Sequence, residues 1–352
     1  MKRKIAFYWF SLFLCFSFSS VAQDKMLTQA FAHPVDLNPA FAGDVDGRYR
    51  VSIAYRDQWR SIIESPFVTM GVYGDLKIIP GKTRQDDYFG AGFSLITDRT
   101  PVLNVNQNML SLYGSYHKAL NADIGQYLSG GINLGIAQRS INYENIYFND
   151  QFNGLDEYSL STAENLPANN FAFIDLGVGV RYTSKTSQYS SFTTGFSVDH
   201  LQGGSISFYH IPPESDENLP DAKLERKFTG YLSMELASNE TVAFLPRIIW
   251  QSQGAHQMIS AAGLVKLDLN NYDNQALHLG GGIRLNQTST TSLKPSAAYL
   301  QMAYESNGLL IGLSHDILLN GLNESDKGKG AFELSISYTG FYQNEETLCP
   351  SF

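Results

Sequence analysis

The chain has 352 residues, a formal charge of -9, 43% hydrophobic and 13% aromatic residues, and two cysteines, Cys15 and Cys349. The acidic balance argues against a nucleic-acid partner. No apolar run beyond the leader approaches 18 residues, which excludes a helical membrane span but not a β-barrel, whose strands need only about ten alternating residues.

In chain order, "MKRK", the apolar "IAFYWFSLFLCFSFSS" and the small-residue site "SVA" mark residues 1–22 as a cleaved signal peptide. Cys15 follows Leu12, Phe13 and Leu14, which are too bulky for a typical lipoprotein signal. Losing Lys2, Arg3 and Lys4 moves the formal charge from -9 to -12. Cys349 is then the single cysteine, so no intrachain disulfide can form; it is expected to be an unreactive thiol, with pairing to another chain as the alternative.

Residues 23–48 contain "HPVDLNPAFAG", where two prolines and an Asn-Pro step oppose a strand and favour turns. This segment is expected to be a periplasmic leader, or a partial plug folded against the inner end of a barrel.

From residue 49 the pattern is a two-residue alternation. "YRVSIAYRDQW" puts Tyr49, Val51, Ile53 and Tyr55 on one face and Arg50, Ser52, Ala54 and Arg56 on the other. Later segments repeat this: Ile174, Leu176, Val178 and Val180 oppose Asp175 and two glycines, and Leu232, Met234 and Leu236 oppose Tyr231, Ser233 and Glu235. About fourteen such segments follow one another: 49–57, 67–76, 88–97, 108–118, 125–138, 171–182, 190–199, 227–237, 241–253, 257–267, 276–285, 291–303, 307–317 and 329–342. Many reach ten or more residues, longer than usual soluble strands.

These features predict an all-β fold, a closed antiparallel transmembrane β-barrel of about 14 strands over residues 49–342, with a periplasmic tail at 343–352. The connections 139–170 and 200–226 are long and those following them are short, as expected for long extracellular loops and short periplasmic turns. The predicted location is the outer membrane, with the lipid bilayer as a partner. A secreted soluble β-rich protein is the alternative, because alternation alone does not say which face meets lipid.

Little points to catalysis. His33, His117, His200, His210, His256, His278 and His315 form no HExxH and no metal-ligand spacing, and there is no GxSxG, CxxC or phosphate loop. No enzyme activity, metal or cofactor is expected. The long connections instead combine aromatic and acidic residues, as protein-binding surfaces do. Tyr143, Tyr147, Phe148, Phe152 and Tyr158 in the first, and Phe208 and Tyr209 in the second, are candidate partner-docking residues.

Both ends of the barrel resemble one family. "LNPAFAG" (37–43), followed by a strand ending "YRDQW" (55–59), resembles the amino-terminal signature of the PorP/SprF family, outer-membrane proteins linked to type IX secretion and gliding motility. "GLSHDILLNGLNESDKGKGAFELSISY" (312–338) is similar to that family's closing strand pair, with His315 where tyrosine is usual. The matching residues include Asn38, Pro39, Gly43, Tyr55, Arg56, Gln58, Trp59, Gly330, Phe332 and Glu333.

The resemblance implies transport or surface display. Partners would be a secreted adhesin or other C-terminal-domain cargo, held by the outer loops, and periplasmic secretion or gliding components, met by residues 23–48. A solute-conducting channel is the alternative. Trp59 is expected at the outer interface. Arg50 and Arg56 are expected to need acidic partners on the wall, Glu333 among them, if the first strand closes on the last.

Overall fold

The computed structural model describes residues 25–60, 65–80, 86–101, 105–143, 146–187, 190–208, 223–270, 275–287, 292–319 and 329–340. Residues 1–24 with the expected signal peptide, Tyr209, His210 and the tail with Cys349 lie outside them.

Fourteen strands form the wall: β1 (Tyr49–Gln58), β2 (Phe67–Ile78), β3 (Tyr88–Thr100), β4 (Val105–Asn121), β5 (Gln126–Ser140), β6 (Asn170–Ser187), β7 (Ser190–Asp199), β8 (Lys227–Ala237), β9 (Val242–Gln253), β10 (His256–Asn270), β11 (Gln275–Gln287), β12 (Lys294–Ser306), β13 (Leu309–Leu318) and β14 (Lys329–Gly340). Each pairs antiparallel with its sequence neighbours, and β1 pairs with β14, so the sheet is a closed barrel. Closure leaves no strand edge, which is how a β-chain satisfies its backbone in hydrocarbon.

The alternation sorts residues as the membrane reading requires. Val51, Ile53, Leu110, Leu112, Ile132, Leu134 and Ile136 point outward and are exposed, whereas Ser52, Ser94, Ser111, Ser129, Ser197 and Ser335 point inward and are buried. A soluble barrel would reverse this, so the secreted soluble alternative is set aside. No helix among the described residues is long and apolar enough to span a membrane.

Several boundaries differ from the sequence reading, β3 ending at Thr100 and β4 spanning Val105–Asn121 among them. β6 runs on to Ser187, because Thr183 and Lys185 keep pairing with β7 although they break the apolar pattern. The turn between β12 and β13 is Asn307-Gly308, not 304–306; both residues have positive φ, 49° and 80°, the Asn-Gly geometry that suits strand twist.

The barrel has two distinct ends. The loop end carries the long connections after β5 and β7. The turn end carries the Asn307-Gly308 hairpin, the start of β1 and the end of β14, and corresponds to the periplasmic end of such barrels.

Candidate functional site in the lumen and at the loop-end mouth

Residues 25–48 do not stop at the inner end of the barrel. They run through the lumen as irregular chain with two 3-10 turns, Ala30–Ala32 and Pro39–Phe41, around the four-residue α1 (Pro34–Leu37). Pro34 and Pro39 each open a turn, where the missing N–H costs nothing. Leu27, Val35, Leu37, Phe41 and Ala42 form an apolar core with the wall residues Tyr73, Tyr113, Tyr231, Ile249 and Met258. The barrel thus has a core, supplied by its own amino-terminal segment.

The "LNPAFAG" residues are shaped by what they touch. Asn38 Oδ1 accepts from Ala40 N at 2.8 Å and caps the second 3-10 turn. Its Nδ2 donates to the backbone oxygens of Val180 (3.1 Å) and Phe196 (3.2 Å), tying the segment to β6 and β7. The wall is paved with glycine beneath it: a Cβ on Gly90 would lie 1.9 Å from Ala42 O, and one on Gly179 would lie 2.0 Å from Asn38 Oδ1. Gly43 turns the chain at φ +72° and donates its N–H to Asp75 Oδ2 at 2.9 Å.

The turn-end half is held by charge and hydrogen bonds. Arg50 donates to both oxygens of Asp75, each at 2.9 Å. Arg181 pairs with Asp44, and its guanidinium lies 4.9 Å from the Phe41 ring centroid. Ala42 O accepts from Ser115 Oγ at 2.7 Å and lies 2.8 Å from His117 Nε2. His33 contacts Ser52 Oγ through Nδ1 at 2.9 Å and stacks on Tyr73 at 4.7 Å.

The loop-end half is clamped by four charged residues from four strands. Glu333 of β14 accepts from Gln29 N at 2.7 Å, Thr28 N at 2.8 Å and Arg56 Nη1 at 3.2 Å. Asp316 of β13 accepts from Arg56 Nη2 and Arg284 Nη1, both at 2.9 Å. Thr28 Oγ1 donates to Asp316 Oδ1 and accepts from both arginines, each at 2.9 Å. All four charged side chains are buried, and two cations balance two carboxylates, so the cluster is neutral as a unit.

Cavities flank the plug. One of about 820 Å³ opens at the turn end, lined by Asp44, Asp46, Arg50, Glu240, Lys266 and Glu305 among others. One of about 350 Å³ opens at the loop end, beside Lys25, Arg56, Trp59, Phe67 and Asp98, with a smaller one of about 250 Å³ beside Lys25, Arg139 and His200.

The expected residues divide accordingly. Arg56 meets Glu333, its direct partner in the β1–β14 register. Arg50 does not: it lies opposite Thr339 and pairs with Asp75 of β2. Trp59 is not an outer interfacial aromatic. At φ 63° it turns into the mouth and packs edge-on against Phe67 at 5.2 Å. Gln58 lines the same mouth, and Gly330 O accepts from Trp59 N at 2.9 Å. Phe332 faces outward and Tyr55 is half-buried.

In the first long connection Tyr158 meets Tyr147 at 5.5 Å and Phe152 at 5.3 Å, and all three are exposed with Leu155 and Leu160. Asn153 Oδ1 accepts from the N–H groups of Leu155, Asp156 and Glu157, which folds this stretch on itself. Phe148 N donates to Gln151 Oε1, and Tyr143 is half-buried nearer the wall. Phe208 does not join them; it packs on Phe171 at 5.0 Å. No group of three metal-ligating side chains occurs among the described residues. Thr28, Gln29, Asp75, Arg181, Arg284 and Asp316 were not singled out by the sequence. A buried charge on an alternating inward face was the one signal for four of them.

An outward apolar face, a sheet closed on itself and a lumen filled by the chain's own amino-terminal segment define a plugged outer-membrane β-barrel. The chain belongs to the family described as type IX secretion system membrane protein PorP/SprF, whose sequence profile matches residues 19–338. No curated protein matches it significantly by sequence. Among solved structures it is similar to a deltaS2 mutant of the TodX monoaromatic hydrocarbon channel, with 11% identity, 85% of this chain and 91% of that one covered, and a TM-score of 0.46. It is also similar to a Pseudomonas aeruginosa FadL homologue (12% identity, 86% and 92% covered, TM-score 0.48) and to the CymD monoaromatic hydrocarbon channel (8%, 88% and 93%, 0.48). At that identity the likeness extends to the barrel architecture alone.

Proposed function

We propose that this barrel is a sealed docking component of the type IX secretion and gliding apparatus, which assists export or surface anchoring of a secreted partner such as an adhesin. The observation that carries this reading is the pairing of a latched lumen with an exposed apolar cluster at the loop end. Tyr147, Phe152, Tyr158, Leu155 and Leu160 offer a contact surface edged by Asp150, Asp156 and Glu157. The lumen is occupied by residues 25–48. The partner would seat its C-terminal domain on this face, and periplasmic components would meet the turn end.

The test is the triple variant Tyr147→Ser, Phe152→Ser, Tyr158→Ser. These side chains lie outside the barrel wall, so the variant should reach the outer membrane in normal amount. Release of one surface protein into the medium is expected. Unchanged retention of every surface protein would overturn the proposal.

A conducting channel is the second reading, supported by the cavities at both mouths of the plug. It requires steady solute flux through the wild-type barrel in planar bilayers. Docking requires partner capture with the plug in place.

A further inference from the structure

The plug does not fill the barrel evenly. Against β3, β5 and β6 it lies on bare backbone: besides the contacts at Gly90 and Gly179, a Cβ on Gly131 would come 2.4 Å from Ala40 N. Beside β8–β12, in contrast, a file of cavities follows it. The turn-end cavity of about 820 Å³ reaches inward to Phe31 and Ala32. A pocket of about 30 Å³ begins across this turn, at Ala30, Ile249 and Ser260. Lys25, Met26 and Arg284 line both that pocket and the loop-end cavity of about 350 Å³, so these two adjoin.

Between the turn-end cavity and the small pocket stands a row of four wall residues. Arg247, Ala262, Gly282 and Tyr299 face one another in successive registers of β9, β10, β11 and β12. On β9, β10 and β11 the row falls between residues lining the cavity (Ala243, Lys266, His278) and residues lining the pocket (Ile249, Ser260, Arg284). Its middle two members have almost no side chain. Tyr299 leans over Gly282, its hydroxyl 2.5 Å from where a Cβ would stand and 2.8 Å from Ser260 Oγ. Arg247 is covered from the plug side by Phe31, with 4.9 Å between guanidinium and ring centroid. The Phe31 ring is half-buried and also meets Tyr231 edge-on at 6.1 Å.

Arg247 differs from the arginines that hold the plug. Arg50, Arg56, Arg181 and Arg284 each pair with a carboxylate. Arg247 forms no salt bridge among the described residues, and its Nε is buried without a hydrogen-bond partner. An uncompensated buried cation is costly, and the face of the Phe31 ring offsets only part of that cost. We infer that this row is a side gate: when the Phe31 ring swings away from Arg247, the cavities join into a narrow path beside the docked plug, and small inorganic anions pass along it. The turn-end cavity carries exposed carboxylates such as Asp46 and Glu240, but ion preference is set where a path is narrowest, and the uncompensated charge there is positive. Gating of this kind coexists with partner docking, because Asn38, Ala42 and Gly43 keep their contacts with the opposite wall. It locates the route that the channel reading requires and makes one side chain of the plug its barrier.

Planar bilayers holding the purified full-length barrel under a potassium chloride gradient test it. Phe31→Ala should raise the mean current about tenfold or more over wild type, because it removes the ring that covers Arg247. The reversal potential of that current should show a preference for chloride. Adding Arg247→Gln should leave the current and abolish the preference. Hydrogen exchange should find residues 38–42 as protected in both variants as in wild type. Phe31→Leu, which keeps apolar bulk against the core, should show a smaller increase and serves if the alanine variant does not assemble. Wild-type current from inserted Phe31→Ala and Phe31→Leu barrels overturns the inference and leaves the docking reading untouched. An ion preference unchanged by Arg247→Gln overturns it too, as does lost protection at residues 38–42, which would assign the current to an undocked plug. Steady wild-type current as large as that of Phe31→Ala would support the channel reading and overturn the gate.

Discussion

Replacing Glu333 by alanine should release the plug without opening the barrel wall. Glu333 is fully buried and accepts from two backbone N–H groups and one guanidinium. Its loss leaves Arg56 and Arg284 sharing Asp316 alone, a net positive charge inside the lumen. Removing one member of a buried ion pair costs roughly 3–5 kcal/mol, and the orphaned Thr28 and Gln29 donors act in the same direction. At about 1.4 kcal/mol per decade, the undocked fraction should rise roughly 100- to 4,000-fold. Hydrogen exchange in detergent micelles reads this directly, as a fall of that size in protection of residues 27–42 while β4 and β5 stay protected. The double variant Arg56→Met, Glu333→Leu removes charge from both sides and should recover much of the protection, because paired removal of a buried ion pair is often neutral. Protection in Glu333→Ala within about fivefold of wild type would refute the clamp, as would a double variant worse than the single one.

Gly90→Ala should destabilise the docked plug by about 1–3 kcal/mol, because its Cβ would strike Ala42 O, whereas Gly130→Ala, with nothing within 4 Å, should be neutral; thermal unfolding of the purified barrel compares them. Asn38→Ala removes the cap on Ala40 N and both ties to the wall, and should cost the docked plug about 1–3 kcal/mol, read as faster hydrogen exchange at residues 38–42.

The wall was legible in the sequence because a lipid-facing barrel strand must alternate. Val51 and Ile53 outside with Ser52 and Ala54 inside is a pattern that one residue of slip would destroy. The path of residues 25–48 was not legible, since irregular chain carries no period. Its prolines announced turns but not their surroundings. Arg50 has the wall carboxylate expected of it, but in Asp75 and not in Glu333. Inward charges on β1 required carboxylates, but Asp75, three strand positions from the end of an apolar-looking β2, gave no sign of facing Arg50 across the sheet. Trp59 illustrates a different limit: its left-handed backbone reverses the side chain from membrane to mouth, and alternation holds only while the backbone remains extended. The loop aromatics were visible as a group, yet their division into an exposed cluster and a Phe208 packed on the rim is a tertiary fact.

The clamp on Thr28 joins residues 305 positions apart, and the bond from Gln29 spans 304. Synthesis therefore delivers the first half of this contact at the beginning and the second half almost at the end. Loop closure over such a length adds little equilibrium cost, because that cost grows only with the logarithm of length. The kinetic consequence is larger, because non-local pairings form slowly. The arm has no finished chamber to occupy until β14 arrives, so the assembly machinery must shelter an open, curled sheet and an unsatisfied apolar arm together. A chain truncated before β14 would lose more than one stave: the wall would stay open, and Thr28, Gln29 and Arg56 would lose their common acceptor.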